Sequence, residues 1–242
     1  MKEVIRNHTH GSSIMLSICK EAENHYLKKS AYDESGIVNL VRETEGYRWY
    51  LDGSRPEFPI KTFALGRSYL ELRIPFFQAQ DPIRKNLTKT NLKYFYLAID
   101  HYNQTWPESV CANAALPIHG DFSLDGNILF NDQGVFVIDW EHFTEGAAPR
   151  GFDVLYMVFE AIKISCKRYL PTTRLLSLSR MLLLYGLEKG AISDHYSENL
   201  FAIFLKEQDR LATTWGAQFE KLPTALFSER QKKILIEYFA GQ

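Results

Sequence analysis

The stretch that decides the fold of this chain is Leu116–Phe143, LPIHGDFSLDGNILFNDQGVFVIDWEHF. It contains two short apolar runs, NILF and VFVI, which are separated by Asn131–Gly134. A four-residue connection that includes Gly is a strong signal for a β-hairpin. If the turn is centred on this connection, Ile128 is expected to face Val137.

Polar residues stand at the open end of this predicted hairpin. In the same register, Asn127 lies beside Ile138 or Asp139, on a neighbouring strand ~4.8 Å away. A carboxylate and an amide oxygen placed together suit Mg²⁺, which prefers oxygen ligands and keeps positions for phosphate oxygens. Asp121 stands on a loop that leads to the same end, where its carboxylate could orient or deprotonate a hydroxyl group.

Each of these polar residues also has an ordinary structural explanation. Asp and Asn are common in turns and caps because their side chains bond to local backbone groups. One such residue alone would favour that explanation. Their combination around one hairpin, with His119–Gly120 before it and Trp140–Glu141 after it, favours a functional site.

The composition of the chain restricts its class. With 242 residues, 45% of them hydrophobic, it is long enough for one large domain or two small lobes. The net charge of −1 gives no basic footprint for nucleic acid. Three widely spaced cysteines favour a reducing compartment, and no segment has the apolar length of a signal peptide core or of a membrane span. We therefore expect a cytoplasmic protein, whose oligomeric state the sequence leaves open.

The first part of the chain is predicted to be rich in β-structure. The apolar spacing of residues 36–51 fits a helix better than a strand. Four other runs have the composition and turn signals of strands, namely residues 12–20, 25–31, 59–66 and 68–76.

The remainder is predicted to be mainly helical. Apolar patterns of helical spacing occur in residues 86–106, 151–165 and 173–242. These two compositions predict an α+β fold, and the change near Pro75 predicts a division into residues 1–75 and 76–242.

The segment HGDFSLDGNILF…VFVIDWE resembles the catalytic and metal-binding motifs of the aminoglycoside phosphotransferase and choline kinase-like small-molecule kinases. This resemblance implies a two-lobed protein-kinase-like fold, with a small nucleotide-binding lobe at residues 1–75 and a larger helical lobe at residues 76–242. It implies ATP and Mg²⁺ as cofactors. It also implies that Asp121 orients or deprotonates the acceptor hydroxyl, and that Asn127 and Asp139 bind Mg²⁺.

The resemblance extends to the N-terminal part. HYLKKSA resembles the family strand that carries an ATP-phosphate lysine, and Lys28 is the best match. VRETEGYRWYLDG resembles the helix whose glutamate pairs with that lysine, which indicates Glu43. Because neighbouring strand residues point to opposite faces, Lys29 remains an alternative to Lys28. The segment THGSS takes the place of the phosphate-covering loop, where Ser12 and Ser13 could meet phosphate.

Two further residues are expected to support the site. His119 is expected to stabilise the catalytic loop by a hydrogen bond. GFDVLY resembles the family segment in which an aspartate at the start of a buried helix braces that loop, which indicates Asp153. Capping of the helix N-terminus would also explain Asp153.

One spacing differs from the family pattern. The family asparagine follows the HGD aspartate by five residues, whereas Asn127 follows Asp121 by six. Gly126 could absorb the extra residue by adopting a positive φ. The alternative is that Asn127 is displaced and that Asp125 approaches the metal instead.

The resemblance implies transfer of phosphate from ATP to a hydroxyl group of a small molecule. From Lys163 to the C-terminus there are 12 basic and 8 acidic residues. This balance is unfavourable for a polycationic aminoglycoside and favours a sugar or sugar-like acceptor of surface-polysaccharide metabolism. Aminoglycoside phosphorylation is the alternative enzymatic hypothesis. A pseudokinase that binds nucleotide or acts as a scaffold is the non-enzymatic one.

Overall fold

The computed structural model describes most of the chain. The described residues are 3–9, 13–21, 24–54, 60–65, 68–76, 85–108, 114–124, 126–132, 134–215 and 227–240. They group into two compact units. The N-terminal unit consists of Met1–Gln78 and Asp139–Phe143, and the C-terminal unit consists of Ala79–Ile138 and Thr144–Gln242.

The N-terminal unit is a five-stranded antiparallel sheet with one helix. The elements are β1 Glu3–Thr9, β2 Ser13–Glu21, β3 Asn24–Ala31, α1 Glu34–Ser54, β4 Lys61–Ala64 and β5 Leu70–Pro75. The strand order is β1-β2-β3-β5-β4. Helix α1 packs against β3 and β5, and it buries Leu40, Tyr47 and Tyr50.

The order strand, strand, helix, strand, strand is confirmed for this unit, with one addition. The strand Glu3–Thr9 was not predicted from the sequence. Its residues EVIRNHT lack the regular alternation that identifies a strand, and its pairing with β2 supplies the hydrogen bonds that local sequence does not indicate.

The C-terminal unit contains the hairpin, a second two-stranded sheet and five helices among the residues described. The hairpin pairs Ile128 with Val137, as the sequence predicts. The elements are α2 Leu92–Thr105, β6 Ala115–Ile118, β7 Ile128–Asn131, β8 Gly134–Val137, β9 Thr144–Pro149, α3 Phe152–Cys166, α4 Thr173–Glu188, α5 Leu200–Trp215 and α6 Glu229–Tyr238. Helix α3 forms the centre of this unit, because its side chains are buried on nearly all sides.

The α+β fold class predicted from the sequence is confirmed by these elements. The division of the chain differs from the prediction at Asp139–Phe143. The sequence places this segment in the helical part, whereas the structure packs it within the N-terminal unit. Among the helices described, none combines the length and the apolar character that a membrane crossing requires.

Candidate active site

A buried ion triad lies in the N-terminal unit. Lys29 Nζ lies 2.6 Å from Glu43 Oε1 and 2.6 Å from Asp139 Oδ1. Lys29 comes from β3 and Glu43 from the middle of α1. The lysine and glutamate side chains are almost fully buried, whereas 39% of the Asp139 side chain is exposed. The triad therefore fixes a buried cation next to a carboxylate that solvent can reach.

The pairing of Glu43 with Lys28 that the sequence predicts is wrong. Lys28 points to the other face of the sheet, where its Nζ lies 3.3 Å from Glu71 Oε2. Glu71 also accepts hydrogen bonds from Tyr69 and Arg73, so Lys28 is one of three donors to it. The lysine that meets Glu43 is the alternative, Lys29, because α1 covers the face of the sheet on which Lys29 lies.

The charges of the triad perturb its pKa values. Burial lowers the pKa of Lys29, but Asp139 and Glu43 outweigh it and hold that pKa well above its ordinary value. Burial raises the pKa of Glu43 to about 7; Lys29 opposes this rise, and Asp139 adds to it. Two carboxylates thus share one cation, and burial favours the neutral form of the more deeply buried one, Glu43.

Asp139 is held in an unusual backbone conformation. Its φ is 65°, in the left-handed region that residues other than glycine seldom occupy. Its N–H donates to the hydroxyl of Tyr47 at 3.1 Å. The next residue, Trp140, is fully buried and packs against aromatic rings of α1, among them Tyr47 and Tyr50. Strained residues of this kind cluster at functional sites, where surrounding contacts maintain them.

Gly46 makes this packing possible. A Cβ atom at this position would lie 2.6 Å from Trp140 Cβ and 2.9 Å from Phe143 Cβ. No real Cβ atom tolerates such distances, so α1 and the segment after Asp139 approach each other closely only because residue 46 is glycine.

A second cluster lies in the C-terminal unit around Asp121. Asn127 Nδ2 donates to the backbone oxygen of Asp121 at 2.8 Å and to its Oδ2 at 2.9 Å. The hydroxyl of Tyr156 donates to the other carboxylate oxygen, Oδ1, at 2.8 Å. Both oxygens of the Asp121 carboxylate are therefore fixed by hydrogen bonds from the protein.

The extra residue between Asp121 and Asn127 does not separate them. Gly126 has a φ of 123°, which is accessible to glycine and unfavourable for other residues. The turn at this glycine returns Asn127 to the Asp121 carboxylate. Asp125, the alternative metal ligand, lies outside the described residues.

His119 and Asp153 hold the backbone around Asp121. Asp153 is fully buried, and its two carboxylate oxygens accept hydrogen bonds from the N–H groups of His119 at 2.9 Å and Gly120 at 3.0 Å. His119 Nδ1 accepts from the N–H of Asp121 at 3.2 Å, so its Nε2 carries the proton and donates to the oxygen of Ile138 at 2.9 Å.

Asp153 therefore bonds to the loop instead of capping its own helix. The N-cap residue of α3 is Gly151, and no side chain caps this helix. Burial raises the pKa of Asp153 to about 7, the two backbone N–H bonds oppose the rise, and Asp121 adds to it.

The two serines that were predicted to meet phosphate are not described in full. Ser12 lies outside the described residues, and only the backbone of Ser13, at the start of β2, is described.

Two residues of the site, Tyr47 and Tyr156, were not identified from the sequence. The signal for Tyr156 was its position three residues after Asp153, which places both on one face of a helix.

Asn127 and Asp139 carry oxygen atoms that are chemically suited to bind Mg²⁺. The amide nitrogen of Asn127 is committed to Asp121, which leaves its amide oxygen as the atom suited to a metal. Asp139 supplies a partly exposed carboxylate. Amide and carboxylate oxygens are ligands that Mg²⁺ accepts.

No family model matches the sequence, and no curated protein matches it. Solved structures do resemble the chain. Choline kinase LicA from Streptococcus pneumoniae is 11% identical with a TM-score of 0.48, over 99% of this chain and 92% of that chain. LicA in complex with AMP is 12% identical with a TM-score of 0.45, over 98% and 92% of the two chains.

A third structure is spectinomycin phosphotransferase APH(9)-Ia in complex with ADP and spectinomycin. It is 11% identical with a TM-score of 0.46, over 98% of this chain and 92% of that chain. Identities and scores this low leave the inference of function to the site residues themselves. By the motif that carries Asp121, Asn127 and Asp139, the chain is similar to the aminoglycoside phosphotransferase and choline kinase-like small-molecule kinases.

Proposed function

We propose that this chain transfers the γ-phosphate of ATP to a hydroxyl group of a small molecule. The observation that carries the proposal is the position of Lys29, whose Nζ lies 2.6 Å from both Glu43 and Asp139. A buried ion pair is weak evidence for stability, because removing charges from water costs about as much as their attraction returns. A lysine held charged in this way is suited to bind phosphate oxygens.

Each residue of the site has a role in this proposal. Lys29 binds the phosphates that remain on the nucleotide, and Glu43 keeps the lysine charged and in place. The oxygens of Asn127 and Asp139 hold Mg²⁺, which when bound offsets negative charge on the phosphate oxygens. Asp121 aligns the acceptor hydroxyl and accepts its proton.

The geometry of Asp121 supports this role. Each carboxylate oxygen has two lone pairs, so the bonds from Asn127 and Tyr156 leave one acceptor position on each oxygen. A carboxylate that is already oriented loses little freedom when it meets a hydroxyl group. Catalysis of phosphoryl transfer depends mostly on such positioning and on electrostatic stabilisation.

We propose a sugar or sugar-like molecule as the acceptor. The segment from Lys163 onward has 12 basic and 8 acidic residues, whereas a surface for a polycation requires an excess of carboxylates. Within this segment Tyr196 and Phe201 are fully buried and belong to the core, so neither ring is placed to stack on a sugar.

Calorimetric titration of ATP with and without Mg²⁺ tests the nucleotide site. We expect Mg²⁺-dependent binding by the wild type and its loss in Lys29→Met and Asp139→Ala. Lys28→Met is the matched control, because it removes the same charge from the neighbouring residue, and it should bind ATP as the wild type does. Equal loss in Lys28→Met and Lys29→Met would refute the assignment of the phosphate lysine. Folded wild-type protein that binds no ATP would favour the scaffold function instead.

Phosphorylation of pooled hydroxyl compounds, followed by mass, tests the acceptor. Asp121→Ala should lower turnover at least a hundredfold while ATP still binds. Loss of ATP binding with unchanged turnover of the bound complex would contradict the role of Asp121. A screen in which only aminoglycosides react would overturn the sugar preference.

A further inference from the structure

Among the residues that the structure describes, Tyr156 is the contact of Asp121 for which the kinase-like motif gives no role. Its hydroxyl lies 2.8 Å from Asp121 Oδ1, on the opposite side of the carboxylate from the Asn127 amide at Oδ2. Only 5% of Tyr156 is exposed. The side chain therefore reaches the carboxylate from within the core and not from solvent.

The chemistry of Tyr156 restricts it to donating. Burial raises the pKa of Tyr156 well above its ordinary value, and the nearby charges of Asp121 and Glu160 raise it further. The hydroxyl therefore keeps its proton and donates a hydrogen bond to the Asp121 carboxylate.

Two residues of helix α3 form hydrogen bonds to the loop that carries Asp121, one to its backbone and one to its side chain. Asp153, in its first turn, accepts from the N–H groups of His119 and Gly120. Tyr156 stands three residues later on the same helix face and bonds to the side chain of Asp121. Because α3 is almost entirely buried, these two contacts tie the loop to the core of the C-terminal unit.

We propose that Tyr156 is a positioning residue for phosphoryl transfer, which fixes the Asp121 carboxylate in the rotamer that presents its remaining lone pairs to the acceptor hydroxyl. This inference rests on the function proposed above. Asn127 fixes one oxygen and Tyr156 the other, so rotation of the carboxylate is blocked only when both donors are present. If Tyr156 is merely a core residue, its hydroxyl has no influence on the turnover of the site.

Carbon NMR of the protein without ligands, at one fixed pH, tests the contact directly through the ring carbon that bears the Tyr156 hydroxyl. The resonance is identified by its absence in Tyr156→Phe. Because that hydroxyl donates to the Asp121 carboxylate, the chemical shift of this carbon should differ between the wild type and Asp121→Asn.

Tyr185→Phe is the matched control. The hydroxyl of Tyr185 donates to Asp100 Oδ1 at 2.5 Å, so this substitution removes a comparable tyrosine–aspartate bond elsewhere in the C-terminal unit. This variant should keep the turnover of the wild type.

Turnover with the best acceptor from the screen completes the test. Tyr156→Phe should lower kcat about tenfold and leave KM for ATP unchanged, whereas a general loss of structure would change both. Wild-type kcat in Tyr156→Phe, or an unchanged chemical shift of the Tyr156 ring carbon in Asp121→Asn, would overturn the proposal. A wild type that binds no ATP in calorimetry would refute the proposed function, while the chemical shift would still report whether the two side chains are in contact.

Discussion

Glu43 and Asp153 are two buried carboxyl groups with the same raised pKa of about 7, but their environments differ. Glu43, in the N-terminal unit, is compensated by the side-chain ammonium of Lys29. Asp153, in the C-terminal unit, is compensated by two backbone N–H groups. The Glu43 carboxylate binds the ammonium group of Lys29, and the Asp153 carboxylate binds the backbone of the loop at His119 and Gly120.

This difference indicates which region tolerates change. A side-chain partner can move, and Glu43 can become neutral when its cation is lost. Backbone N–H groups in the core have no alternative partner when Asp153 is lost, because water does not reach them. Loss of Asp153 is therefore expected to cost more stability than loss of the Lys29 contact.

The largest expected effect is that of Asp153→Ala. This substitution leaves the N–H groups of His119 and Gly120 buried without a partner, at about 1–3 kcal/mol each. We expect the free energy of unfolding to fall by roughly 4 kcal/mol in urea denaturation. Asp153→Asn keeps one acceptor oxygen and should lose about half as much. Equal stability of the alanine variant and the wild type would show that these two hydrogen bonds contribute nothing to the free energy of unfolding.

Lys29→Met should have a smaller effect that depends on pH. With the lysine absent, Glu43 can protonate below its pKa, so little unpaired charge is buried at pH 5.5. At pH 8.5 the loss should approach about 3 kcal/mol, because a carboxylate must then be buried without its cation or protonated against the pH. Urea denaturation at both pH values measures the difference.

Lys28→Met is the control for that comparison. Glu71 keeps its bonds from Tyr69 and Arg73 in this variant, so the loss should stay below about 1 kcal/mol at both pH values. A larger pH dependence in Lys28→Met than in Lys29→Met would reverse the assignment of the buried pair.

Gly46→Ala tests how Asp139 is held in the triad. Its Cβ would press against Trp140 and displace the segment that carries Asp139. Overpacking of this kind costs about 2 kcal/mol. Thermal unfolding should detect the loss, and Mg²⁺-dependent ATP binding should weaken with it. Full ATP affinity in a destabilised variant would separate the packing of Trp140 from the position of Asp139.

The stability of the wild type should itself depend on pH. The ordinary pKa values of these carboxyl groups are 4.5 for Glu43 and 3.8 for Asp153, and folding raises both to about 7. Between these values the folded protein binds protons that the unfolded chain has released, so the free energy of unfolding falls as pH rises from about 4 to about 7.

Each group can contribute at most about 1.4 kcal/mol per pH unit to that slope. Glu43→Gln and Asp153→Asn should each remove their own part, which denaturation at several pH values from 4.5 to 7 would measure. A slope unchanged in both variants would mean that other groups cause it.

The elements with strong local signals were predictable from the sequence. The hairpin register followed from the length of its turn, and the pairing of Ile128 with Val137 needed no tertiary information. The buried helix α3 followed from apolar residues on all sides. The strand Glu3–Thr9 has no such signal, because its structure depends on pairing with a neighbouring strand.

The choice between Lys28 and Lys29 could not be made from the sequence. Alternation along β3 places the two on opposite faces, but which face α1 covers is a matter of packing. The same limit applied to Tyr156, since its contact with Asp121 joins residues 35 positions apart in the chain.

The sequence by itself determined the fold class, the hairpin and the set of polar residues at its end, because these depend on patterns within a few residues. Only the tertiary structure decided that Glu43 meets Lys29, that Asp139 packs with the N-terminal unit and that Tyr156 bonds to Asp121. Those contacts form between distant segments, and they depend on which surfaces are buried together and not on local preference.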